Sequence, residues 1–63
     1  MIIKACNNDT GTIQELRDQN AAVNSMAAQL KRLGAKTSMA VNFYKRVLIG
    51  QRITIGNKTY IMK

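Results

Sequence analysis

The segment RITIGNKTYIMK, Arg52–Lys63, constrains the fold more than any other part of the chain. Apolar and polar residues alternate on both sides of Gly56-Asn57, and a period of two places each set on one face of a strand. Gly and Asn tolerate the positive φ that a two-residue hairpin loop demands. A β-hairpin is therefore expected over residues 51–62. Ile53 and Ile55 pair with Tyr60 and Met62, or Thr54 with Thr59 and Ile61, depending on register.

The rest of the chain must supply elements for this hairpin to pack against. MIIKAC (Met1–Cys6) is β-rich at its start and is followed by NNDTG, a cluster of turn formers. It reads as a short N-terminal strand. Residues 12–33 then carry apolar side chains at Ile13, Leu16, Val23, Met26, Ala27, Leu30 and Leu33, a helical spacing. Thr12 and Glu15 fit a capping box. Lys31 and Arg32 suit the negative end of a helix dipole, and Gly34 supplies a left-handed stop. One helix over 12–33 would place Asn20 in a heptad seam, as register-setting asparagines are placed. Two helices broken near Asp18–Ser25 would use Asn24 or Ser25 as a cap. The two-helix form is favoured, because a straight rod of about 33 Å has little to pack on in so short a chain.

KTSMAVNFYKRVLIG (Lys36–Gly50) admits two readings. As a strand it is β-branched and aromatic, but Lys45 interrupts its apolar face. As a helix over 37–49, capped by Thr37 or Ser38, it carries an apolar stripe at Ala40, Phe43, Tyr44, Val47 and Leu48. The stripe is the cleaner pattern. The expected architecture is thus α+β in a single domain, 1–63: a short strand, one or two helices over 12–33, a helix over 37–49, and a C-terminal hairpin.

A chain of 63 residues buries only about 60% of its unfolded surface and needs some extra support. Cys6 is the one cysteine, so no internal disulfide can form, and it reads as a small hydrophobe in the first strand. With no histidine and only Asp9, Glu15 and Asp18 as acids, a metal site is not expected, nor is any cofactor. Oligomerisation remains, and a homodimer is the expectation. Met1, Met26, Met39 and Met62 read as core filler. The start is too short and polar for a signal peptide and no apolar run reaches membrane-spanning length, which points to the cytoplasm and away from membranes. Catalysis has no histidine base, no carboxylate pair outside 9–18, no activated nucleophile and no phosphate-loop glycine spacing, so the chain is not read as an enzyme.

Charge is the strongest functional signal. The net charge is +7 and the pI is about 10.2. Residues 1–18 hold two cations against three acids, a net −1. Residues 19–63 hold eight cations (Lys31, Arg32, Lys36, Lys45, Arg46, Arg52, Lys58 and Lys63) and no carboxylate, a net +8 over 45 residues. Such a segment cannot neutralise itself with internal ion pairs, and phosphate backbones are its usual partner.

Asn24–Leu48, NSMAAQLKRLGAKTSMAVNFYKRVL, resembles a helix-turn-helix: an apolar-striped helix, a glycine at the turn, then a second helix after a short polar KTS. With a leading strand and a trailing hairpin, the whole chain resembles the small Cro-type phage repressors and winged helix-turn-helix proteins. That resemblance implies a dimeric transcriptional regulator on double-stranded DNA, with the second helix in the major groove. It implies that Lys36, Thr37, Ser38 and Asn42 lie near the start of the recognition helix, Asn42 toward adenine and Ser38 toward a base or phosphate. Lys31, Arg32, Lys45, Arg46, Arg52 and Lys58 would contact phosphates. A second class also fits: a small inhibitor or adaptor of a mobile genetic element, docking an acidic or nucleic-acid-handling protein, with one long helix over 12–33 and an antiparallel sheet over 36–63. A third is RNA binding on a sheet face, with Phe43 and Tyr44 as stacking platforms.

Overall fold

A computed structural model describes residues 2–62. The chain runs β1 (Ile3–Asn7), β2 (Ile13–Leu16), α1 (Gln19–Arg32), α2 (Met39–Leu48), β3 (Ile53–Ile55) and β4 (Lys58–Met62). The four strands form one antiparallel sheet in the order β2-β1-β4-β3. The α+β class, the N-terminal strand, the second helix and the C-terminal hairpin are as expected. Met1, expected as core filler, lies outside the described residues.

The first hairpin forms because Asn7–Gly11 makes a closed turn. The Asn7 side-chain oxygen accepts from the amides of Asp9 and Thr10, and the Asn7 amide donates to the Thr12 carbonyl at 2.8 Å. This pairs Ile3 with Leu16 and Cys6 with Ile13. The expectation of helix from residue 12 is corrected here: residues 13–16 are a strand, and Thr12 caps nothing helical. Ile13 and Leu16 are three apart, which suits a helix, but they also suit opposite faces of a strand, and the ladder to β1 decides between them. The helix begins only at Gln19, where the Asp18 carboxylate accepts from the Ala21 amide at 2.7 Å. It then passes unbroken through Asn20, Asn24 and Ser25, so a single 14-residue helix replaces both the long rod and the broken pair.

Both helices stop in the same way. Gly34 has φ +75°, its amide donates to Lys31, and the Ala35 amide reaches back to the Leu30 carbonyl. Gly50 has φ +97°, and Gly50 and Gln51 repeat that pattern onto Val47 and Arg46. This is the double backbone closure that left-handed glycine permits at a helix end.

The two helices cover one face of the sheet. The core joins Ile3, Ala5, Leu16, Ile55 and Tyr60 from the strands to Ala22, Met26 and Leu30 of α1 and Ala40 and Val47 of α2. Phe43, Tyr44 and Leu48 complete the stripe on α2 as half-buried contacts. Leu33, the last of the apolar residues at helical spacing, and Met39, expected as core filler, are 60% and 42% exposed, since both lie at the corner where α1 turns into α2. In the second hairpin Ile53 pairs with Tyr60 and Thr54 with Thr59. Ile53, Ile55, Tyr60 and Met62 therefore share the covered face, and Thr54, Thr59 and Ile61 the open one. Among the described residues no helix is long and apolar enough to cross a membrane.

Candidate nucleic-acid interface

The polar side of α2 follows from the burial of its other side. With Ala40 and Val47 turned to the sheet, Asn42, Lys45, Arg46 and Ile49 recur at intervals of three and four and form one exposed stripe. Met39 and Val41 are exposed at its start. The helix is about 15 Å long, a length that a major groove accommodates.

The corner before α2 extends this surface. Every residue from Lys31 to Met39 is exposed, and the stretch contains Lys31, Arg32 and Lys36 but no acid. Lys31 and Arg32 occupy the last turn of α1, where cations offset the partial negative charge of free carbonyls. Ser38 is at the N-cap position of α2, but its backbone is helical and its side chain makes no capping bond. The expected side-chain cap is absent because the turn uses main chain instead. The Met39 and Ala40 amides donate to the Lys36 and Thr37 carbonyls at 3.2 and 3.0 Å.

The three acids all have partners within the chain. Asp18 caps α1, Asp9 accepts from the Asn57 side chain at 3.1 Å, and Glu15 pairs with Arg17 at 3.3 Å. Glu15–Arg17 is the one ion pair among the described residues, and an exposed pair of this kind contributes about 0–1 kcal/mol. The cations of α1, α2 and the corner thus face solvent without a carboxylate beside them.

Sequence reasoning placed ten residues in this site, and the fold gathers eight of them. Lys31, Arg32, Lys36, Thr37 and Ser38 lie around the corner, and Asn42, Lys45 and Arg46 continue along α2. Arg52 and Lys58 go elsewhere. Arg52 borders the open face of the sheet, across Ile61 from Lys4. Lys58 is half-buried opposite Asn7 and borders the first hairpin with Thr10, Thr12 and Gln14. Phe43 and Tyr44 are not on the sheet at all, and they turn toward the core from α2. This removes the stacking platforms that an RNA-binding sheet face would need. The adaptor layout is corrected in the same way, because residues 39–48 are helix and not part of a sheet.

One feature escaped the sequence reading. Lys4, Cys6, Ile13 and Ile61 meet on the open sheet face and line a shallow groove of about 330 Å³. The alternation Ile3-Lys4-Ala5-Cys6 carried that signal, since every second residue of a strand shares a face. No protein-family model, curated protein or solved structure matches this chain.

Proposed function

We propose that the protein is a small DNA-binding regulator that presents α2 to the major groove of double-stranded DNA and acts as a dimer. The observation that carries this reading is the exposed, acid-free stripe of α2, with Asn42 central and Lys45 and Arg46 on either side of it. An asparagine amide offers one donor and one acceptor, the complement of the adenine edge in the major groove. Lysine and arginine at the flanks suit phosphates on the two strands that bound the groove. Lys31, Arg32 and Lys36 at the corner add contacts beyond the groove wall. The α1–turn–α2 pair then serves as a helix-turn-helix, with α2 as the reading helix.

The test is duplex binding as a function of salt. Each phosphate contact contributes a slope of about −0.9 in log affinity against log salt, so Arg46→Ala should flatten the slope by roughly that amount on every sequence. Asn42→Ala should instead relax preference at one base pair, at a cost of about 1–3 kcal/mol on the preferred site only. No binding to duplex at about 50 mM salt removes the reading.

A second reading, an adaptor docking an acidic protein, is favoured by one observation. Met39, Val41 and Ile49 are 42%, 40% and 75% exposed beside the same cations, and phosphate contacts do not require them. Loss of duplex binding on Lys45→Ala and Arg46→Ala, with none on Val41→Ser, supports the DNA reading over this one.

A further inference from the structure

The helices cover one side of the sheet, and the other side is not the uniformly polar surface expected where an antiparallel sheet faces water. Read across the strands from β2 to β3, one row of the open face runs Ile13, Cys6, Thr59, Thr54. The next row runs Glu15, Lys4, Ile61, and reaches Arg52 just before β3. Ile13 is 58% and Ile61 38% exposed. The polar groups of the first row are already satisfied: the Thr54 and Thr59 hydroxyls bond each other at 3.1 Å, and Asn8 donates to Thr59 at 3.0 Å. Covering them leaves no hydroxyl oxygen without a partner, which lowers the usual cost of burying such a row.

From this we infer that the open sheet face is where two copies of the chain meet, packed face to face about a two-fold axis parallel to the strands. That axis exchanges the sheet edges and keeps the rows level. Ile13 then faces Thr54 of the second copy, Cys6 faces Thr59, and Lys4 lays its alkyl stem over Ile61. Glu15 faces Arg52, twice per dimer. A two-fold axis across the strands would instead set Ile13 against Glu15 and Cys6 against Lys4, burying charge on apolar groups. Sheets packed with their strands nearly aligned are a common arrangement, so the geometry is ordinary.

Charge also selects this face. The face carries Glu15, exposed and held by Arg17 of its own copy, so that facing Arg52 of the second copy sets it between two guanidinium groups, whereas the corner and the outer side of α2 carry none of the three acids and repel a second copy. The inference rests on the dimeric reading above and names its surface, leaving α2 of each copy free on the outside. The area is modest. Four strands of three to five residues present roughly 300 Å² in projection, below the ~800 Å² per partner of a standard interface. The dimer is therefore weak and concentration-dependent.

Sedimentation equilibrium from low-micromolar to near-millimolar protein tests this directly. The wild type should pass from monomer to dimer over that range. Glu15→Arg and Arg52→Glu should each weaken the dimer by about tenfold or more, and the double variant should restore it to within about threefold. Ile61→Asp should leave a monomer with an unchanged circular dichroism spectrum. Glu15→Gln keeps the side-chain volume and should weaken the dimer less than Glu15→Arg. A wild type that stays monomeric overturns the inference. So does a double variant that remains monomeric while folded, or a dimer indifferent to Ile61→Asp. Duplex binding measured in parallel keeps the two ideas apart: a dimer that ignores DNA retires the DNA reading alone, and a monomer that binds DNA retires this surface alone.

Discussion

At the scale of single residues, Tyr60 ties the two layers together. It is fully buried on β4, and its hydroxyl bonds the Ser25 hydroxyl of α1 at 2.9 Å. Burial raises its pKa above the ordinary 10.0, and the bond from Ser25 opposes part of that rise. The folded state therefore holds this proton more tightly than the unfolded state does. The corresponding stability is fully present below pH 10.0 and is lost as pH climbs past it toward the raised value. Alkaline titration followed by circular dichroism should show unfolding above pH 10.0 that Tyr60→Phe shifts to higher pH. At neutral pH the same variant should cost about 0.5–1.5 kcal/mol through the lost hydrogen bond. Asp18 offers a second check. Asp18→Ala removes the α1 cap and should cost about 1 kcal/mol, a fall in melting temperature of roughly 4–8 °C for a domain of this size.

At the scale of elements, the two helices differ in how they were written. α2 was legible because Ala40, Phe43, Tyr44, Val47 and Leu48 define its inner side and Gly50 its end. The start of α1 was not, because the run Ile13–Leu16 satisfies helical and extended spacing equally and only its ladder to β1 settles the matter. Such pairing joins residues seven to thirteen apart through the Asn7–Gly11 turn, and the spacing within Ile13–Leu16 does not contain it. The candidate site shows the same division. Its eight gathered residues lie on or beside helices, where spacing predicts direction. Arg52 and Lys58 were misplaced because their direction depends on strand register. Packing against these helices can be probed by contrast. Met26→Ala, at a side chain with no exposure, should cost about 2–5 kcal/mol and leave so small a domain largely unfolded. Ile49→Ser, 75% exposed at the end of α2, should change the urea midpoint very little.

At the scale of the whole molecule, the charge asymmetry maps onto the layers. The three acids serve turns, a cap and the sheet edge, while the cations of residues 31–46 collect around one corner and one helix. The helical layer is thus a cationic outer skin with no acid of its own between residues 31 and 46, over a sheet layer where cations and acids are mixed. Because self-repulsion within that skin is screened by salt, thermal stability should rise between about 10 and 200 mM sodium chloride. Over the same range affinity for duplex DNA should fall. These opposite responses in one titration distinguish screening of the fold from competition at the binding surface.

The sheet order β2-β1-β4-β3 puts the first and last strands side by side at the centre, with Ile3 opposite Met62. Each hairpin is a local product, but their union needs β4, more than fifty residues along the chain from β1. A chain cut before Tyr60 keeps the first hairpin and both helices but loses most of the strand that joins the two hairpins, and with it a fully buried core side chain. Folding in consequence depends on a long-range pairing, and removing Tyr60–Met62 from β4 should abolish the fold and not merely trim it.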